Sequence, residues 1–316
     1  MSSTFIKDCI YQFIEIPELC KAFADTFEFQ RLRYIKQLGF VSFVYPSAVH
    51  TRLEHSFGVM HLAGRMVDAL RATANISDRE KELVQLAGML HDTGHIAFSH
   101  LFDYILTEQG EEGHEERSVK VLRIINSRLQ LLSNREEDMV AKMILGNSEN
   151  EEKEFLYEIV SNSLCGIDVD RLDYLQRDAY HTGIPGFQPD YLLRCARVVD
   201  NHICFLHKAF TEVQLLYETR KRMFLLVYRH KTVMRIERVI RQIVKDLDIF
   251  HNWSANSWLG FDDVECISQL RRSPLFQTLY TRSWAHSEVD DMYRHCTCIY
   301  SEQIDEQLEK VLFTNE

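Results

Sequence analysis

The chain has 316 residues, 46% of them apolar, and a formal net charge of −11. That length supports one large core, with or without an attached lobe. The acidic balance argues against binding long nucleic acids, which depends on neutralising many phosphates; a small polyphosphate is still compatible, because local basic residues override the overall sign. Twelve Gly and five Pro favour long helices over a turn-rich β fold. Apolar runs such as Phe224 to Tyr228 fall far short of a membrane span, and the N-terminus lacks a secretory pattern. Eight Cys without a framework of spacings fit reduced thiols in an intracellular protein, cytosolic or nuclear. The N-x-Ser matches at Asn75 and Asn252 then have no consequence.

In chain order, residues 18–38 read as helix, with Arg31 and Arg33 close together. Phe40 to Tyr45 is an aromatic, apolar run ending at Pro46, expected as a strand or extended loop. Helix resumes near Leu53 and runs to about Ala72. Asn75-Ile76-Ser77-Asp78 supplies a turn and an N-cap for a helix over 79–92, which Gly94 breaks. Residues 108–116 and 146–154 are acidic and loop-like. A small hairpin is expected over 201–207, and Thr211 to Phe250 reads as one long helix or two joined ones. The pattern breaks between Asn252 and Gly260. The fold class is therefore all-α with minor β: a helical core over 1–250 and a shortened helical C-terminal lobe over 251–316.

The segment His91-Asp92-Thr93-Gly94-His95, with Ser99-His100 soon after, holds the densest chemistry. His91 and His95 are four apart and share a helix face if the helix extends that far. Imidazole beside carboxylate is a ligand set for Fe, Mn or Zn, and partly Mg. Gly94 would let the chain turn close to the ion. His55 upstream and Asp170 downstream complete the order His…His-Asp…Asp, far more specific than a lone His-Asp pair. A single His is more often a packed or solvated residue than a ligand, so His50 and His61 are read as ordinary. His295-Cys296-Thr297-Cys298 has no partner pair to complete a site. Asp170, Tyr174 and Asp178 fall at i, i+4 and i+8, on roughly one helix face. Arg220, Tyr228 and Lys231 are expected to project from nearly one side.

Several stretches resemble the HD core of the animal sterile-alpha-motif/HD-domain dNTP triphosphohydrolases. They are Asp25 to Gly39, His50 to Val59, His91 to Asp103, Phe155 to Asn162 and Gly166 to Asp178. The resemblance covers roughly residues 5–250, without the sterile-alpha-motif domain. It implies that His55, His91, Asp92 and Asp170 hold a divalent metal. It implies that His95 and His100 face the triphosphate, His100 as general acid, with Asp103 and His114 orienting it. Arg52, Arg171 and Arg220 would hold phosphate oxygens. Gln37, Tyr174 and Asp178 would meet the sugar, Leu38 and Tyr174 crowding its 2′ position, and Tyr228 would line the base or sugar side. The implied ligands are a dNTP, with Fe, Mn or Zn at the HD ligands and Mg on the triphosphate. A homo-oligomer, dimer or tetramer, is implied as well.

The chain departs from that family at Arg171, where the family has Lys, and at Arg229, where it has Gln. Asp25, Gln30 and Arg33 match residues that read an activating guanine nucleotide, and Lys208 keeps a matching charge. Thr4, Tyr191 and Leu206 replace basic residues of that activator site, so turnover without GTP is expected. The competing readings are an HD phosphohydrolase of ribonucleotides, monophosphates, cyclic nucleotides or alarmones, and a non-catalytic nucleotide sensor.

Overall fold

A hairpin that the sequence reading did not anticipate opens the chain. Strands β1 (Thr4–Asp8) and β2 (Gln12–Ile16) pair antiparallel, with Thr4 opposite Ile16. Asp8 accepts the backbone N–H groups of Ile10 and Tyr11 and so closes the turn. The computed structural model describes residues 4–251, 253, 257–283, 307 and 310–314. Asn252 and the His295-Cys296-Thr297-Cys298 motif lie outside the described residues.

The helix expected over 18–38 is two short helices and a 3₁₀ turn. Helix α1 spans Glu18–Ala24, α2 spans Phe27–Gln30, and the turn covers Arg31–Tyr34. Thr26 breaks the run with extended backbone, its hydroxyl donating to Phe23 O. The aromatic run after it is a 3₁₀ turn over Gly39–Phe43, not a strand, with Phe40 and Val41 sunk into the core.

Helix α3 (Arg52–Leu70) is buried along most of its length and forms the centre of the bundle. Glu54 closes its capping box by accepting Thr51 N–H at 2.9 Å. Helix α4 (Asp78–Leu90) starts at the expected Ser77 cap and packs along α3. Then come α5 (His100–Glu108), α6 (His114–Leu129), α7 (Asn134–Leu145) and α8 (Val169–Thr182), the last also against α3. After α9 (Asp190–Arg194), β3 (Ala196–Val199) and β4 (His202–Leu206) form a hairpin that starts earlier than the expected 201–207, which holds only its turn and second strand, and β5 (Phe313–Thr314) joins β4 in parallel.

Helices α10 (Phe210–Met223) and α11 (Lys231–Leu247) are joined by a π-helical turn at Phe224–Tyr228. Helices α12 (Asp263–Leu270) and α13 (Pro274–Thr281) follow and pack on α11. The architecture is all-α with small sheets. Among the described residues no helix is long and apolar enough to cross a membrane.

Candidate active site

The sequence-predicted ligands converge. His55 projects from the first turns of α3, Asp170 from the start of α8, and His91-Asp92 follow the last residue of α4. His55 Nε2 lies 3.0 Å from Asp170 Oδ1 and 3.4 Å from Asp92 Oδ2. His91 Nε2 lies 3.4 Å from Asp170 Oδ1 and 3.3 Å from Asp92 Oδ1. Both Nε2 atoms are buried without a well-directed hydrogen bond. The opposite nitrogens are fixed: His55 Nδ1 by Asp173 Oδ2 at 2.7 Å, and His91 Nδ1 by Gly88 O at 2.7 Å. Two imidazole nitrogens and two carboxylates thus face one point, a donor set that could hold a divalent cation, with supporting partners behind both imidazoles. Electrostatics agree. Burial alone would lower the His55 imidazole, yet hydrogen bonding to Asp170 and Asp173 and the charge of Asp92 pull it up to about 10. Asp170 goes the other way: burial opposes its ionisation, but His55 and His91 hold it well below the ordinary carboxylate range. The carboxylates ask for positive charge among them.

The shared helix face expected for His91 and His95 does not form, because α4 ends at Leu90. His95 turns instead to a second cluster with His100, Asp103 and His114, whose ligand-type atoms all lie within 4.8 Å of one another. The His95 and His114 rings stack at 4.0 Å, and His100 stands perpendicular to His95 at 4.9 Å. Asp103 binds His114 Nδ1 at 2.6 Å and also accepts from Arg117. Burial raises Asp103, but the His114 hydrogen bond and the Arg117 charge outweigh it and keep the carboxyl below its ordinary value. Desolvation and then the Arg52 guanidinium push His95 well down and His100 down to about 3.

Gly94 does not make room for an ion as expected. A Cβ there would stand 2.1 Å from His114 O and 2.5 Å from Ser118 N, so this glycine lets the start of α6 approach and delivers His114 to His95. Ser118 completes the joint, accepting Gly94 N–H and donating to His91 O.

The two clusters meet where His95 Nε2 lies 3.4 Å from Asp92 Oδ1, and Arg52 stands beside that junction, pairing with Asp92 and donating from Nε to Ser99 Oγ at 2.7 Å. Arg171 bonds Asp168, and Arg220 donates to Gln307 Oε1; Gly166 lies between, with Gln307 and Arg171 both against it. Arg220, Tyr228 and Lys231 do not lie on one continuous α-helix: Arg220 is in α10, Tyr228 ends the π-helical turn and Lys231 starts α11. Tyr228 instead donates to Asp178 Oδ2 at 2.8 Å, and its ring meets Tyr174 edge-on at 6.2 Å. Gln37 is buried with Oε1 unpartnered, next to half-buried Leu38.

Sequence reasoning missed several supporting residues. His50, read as ordinary, binds Asp178 Oδ1 at 2.7 Å through Nε2. Asp173 is held by Arg177 and Tyr11, and Gly58 makes space for it, since a Cβ there would stand 1.9 Å from Asp173 Oδ1. Asp263 at the start of α12 accepts the backbone N–H groups of Phe98 (2.7 Å) and Lys36 (3.1 Å). Ser99 then bonds Lys36 O at 2.8 Å. Phe98 and Ser99 both have positive φ, 52° and 55°, a strained geometry that these bonds hold just before His100. The spacing of Asp168, Asp170, Asp173 and Asp178, at i, i+2, i+5 and i+10, was visible, but no spacing rule singles out a distant Asp263. Asp25, Gln30 and Arg33 find partners locally: Asp25 with Lys21, Gln30 with Ala24 O, and Arg33 with Gln30. Leu206 is buried.

Residues 52–178 match the HD domain family. A Dictyostelium discoideum protein named deoxynucleoside triphosphate triphosphohydrolase SAMHD1 homolog is 38% identical over 260 residues, covering 79% of this chain and 50% of that one. The Homo sapiens protein named deoxynucleoside triphosphate triphosphohydrolase SAMHD1 is 35% identical over 316 residues, covering 87% of this chain and 50% of that one. The Gallus gallus protein of the same name is 36% identical over 326 residues, covering 90% and 53%. The chain spans about half the length of these relatives.

Proposed function

From a chain that belongs to the HD-domain proteins, we propose a metal-dependent hydrolase that splits dNTPs into deoxynucleoside and inorganic triphosphate. The observation that carries this reading is the pairing of two clusters: four metal donors at His55, His91, Asp92 and Asp170, and a histidine set at His95, His100, Asp103 and His114, meeting at Asp92 and His95 beside Arg52. The relatives' names supply the substrate class. Fe, Mn or Zn suits the mixed imidazole–carboxylate set, with Mg on the triphosphate. A divalent ion there supplies Lewis-acid activation of the α-phosphate and of water.

The side chains do the rest. A triphosphate brings several negative charges, and Arg52, Arg171 and Arg220 offer guanidinium donors that exchange their present carboxylate and amide partners for phosphate oxygens. Arg52 keeps its Nε bond to Ser99 while its other donors turn to phosphate. His100 is neutral beside Arg52, and the arriving phosphate charge raises its proton affinity, readying it to protonate the departing 5′ oxygen. Asp103 orients His114, and His114 stacks on His95, which keeps the histidine set rigid. The sugar pocket is built from Gln37, Leu38, Tyr174, Asp178 and Tyr228. Buried Gln37 Oε1 offers an acceptor to a sugar hydroxyl, and Asp178 is held by His50 and Tyr228. We place the protein inside the cell, in keeping with the six free cysteines among the described residues. We expect turnover without GTP, because Asp25, Gln30 and Arg33 bond within the chain and Leu206 is buried.

Steady-state turnover of dGTP and GTP, each as sole nucleotide with Mn and Mg, tests the substrate class. Strong preference for dGTP supports it. Equal turnover of GTP moves the protein to another class of HD phosphohydrolase.

A further inference from the structure

Away from the HD ligands, a thiol, a carboxylate and an imidazole from three elements meet. Cys9 sits in the β1–β2 turn, Glu54 in the first turn of α3, and His181 near the end of α8. Their ligand-type atoms all lie within 4.8 Å of one another. We propose that Cys9, Glu54 and His181 form a second metal site, one that takes zinc.

The geometry is close to that of a bound ion. Cys9 Sγ is 3.8 Å from His181 Nε2, and Nε2 is 3.9 Å from Glu54 Oε2. A tetrahedral zinc with Zn–S of about 2.3 Å and Zn–N of about 2.0 Å separates sulfur and nitrogen by about 3.5 Å. The sulfur–nitrogen edge therefore needs only a few tenths of an ångström to close, and the edges to Glu54 need a larger movement, in side chains that are partly exposed. Two of the three ligands are already set. Glu54 spends Oε1 on the Thr51 N–H cap, which leaves Oε2 facing His181. The His181 ring stacks flat on His50 at 4.2 Å and 9°, and its carbonyl accepts from Ser47. Cys9 is exposed, so the fourth position opens to water.

The ligand chemistry selects the ion. Thiolate with imidazole and carboxylate suits zinc, whereas the all-nitrogen-and-oxygen HD set does not discriminate against Mn or Mg as strongly. The Cys9 proton leaves to solvent as the thiolate binds the ion. One cation opposes: Arg177 Nη1 stands 3.8 Å from Glu54 Oε2, but it is paired more closely with Asp8 at 2.9 Å. An ion here ties the β1–β2 turn to α3 and α8. That turn carries Asp8 and Tyr11, which hold Arg177 and Asp173, so the clamp braces the residues behind His55.

Cobalt reports the site directly, because a thiolate ligand gives a sulfur-to-cobalt charge-transfer band that the HD ligand set lacks. The full chain is titrated with Co(II), and its retained zinc is measured after dialysis, for wild type, Cys9→Ala and His181→Asn. The expected result is a thiolate band in wild type that both substitutions remove, with one equivalent less zinc in each variant. Retained Mn binding shows that the variants are folded. Absence of the band in wild type, or its survival in either variant, would overturn the site.

Discussion

Asp173 Oδ2 stands 2.7 Å from His55 Nδ1, and this contact decides which imidazole nitrogen is left to face Asp92 and Asp170. Asp173 is itself fully buried between Arg177 and Tyr11. The charge behind His55 strengthens it as a donor. Asp173→Asn keeps an acceptor of the same shape and removes that charge. It should weaken Mn binding about 10–100-fold, measured by titration calorimetry. Unchanged affinity would reduce Asp173 to a packing role.

The same carboxylate makes stability depend on acidity. Burial opposes its ionisation, but Arg177 and the His55 hydrogen bond bring it down to about 2. An unfolded Asp titrates at about 3.9, so this contribution is complete above about pH 4 and is lost as the pH falls through 2. Denaturant unfolding of wild type and Asp173→Asn should show their stability gap closing by on the order of 2 kcal/mol over that window. A gap that does not change with pH would contradict the assignment.

His100→Asn should lower kcat by about 10²–10⁴-fold with KM little changed, as expected for a lost proton donor. His114→Asn should show a smaller loss, because it acts through orientation. Steady-state kinetics on dGTP separates the cases. A His100 effect confined to KM would make it a binding residue.

Asp263→Asn tests a residue from outside the matched HD region. The amide puts an N–H₂ where either Phe98 N–H or Lys36 N–H needs an acceptor. One buried donor is left unpaired, at a cost of about 1–3 kcal/mol. Lys36 precedes Gln37 and Leu38, and Phe98 precedes Ser99 and His100, so kcat and KM should both worsen, with no recovery in Asp263→Glu. Lower stability with unchanged kinetics would show that Asp263 only holds the fold.

The candidate set His55, His91, Asp92 and Asp170 was legible from the His-Asp-x-Gly-His motif with its upstream His and downstream Asp, and the structure brings the four side chains together. What surrounds the ligands was not legible. His50 reaches Asp178 across 128 positions and Asp263 reaches Phe98 across 165, and periodicity has no term for contacts of that separation. Gly94 was noticed for the right freedom and the wrong neighbour, because its close approach is to α6, an element placed only by tertiary packing. The β1–β2 hairpin escaped for a similar reason. Its strands are short and half exposed, and its turn is closed by the Asp8 side chain rather than by a Gly-containing pair.

The central claim is cleavage at the α-phosphate, and the inorganic product of dGTP hydrolysis tests it most directly. Phosphorus NMR of a reaction run with Mn and Mg, and with no second nucleotide, should show inorganic triphosphate accumulating with deoxyguanosine. The signal should vanish after chelation and in His91→Ala. Orthophosphate or pyrophosphate as the first product, or no turnover even with GTP added to dATP, would contradict the account.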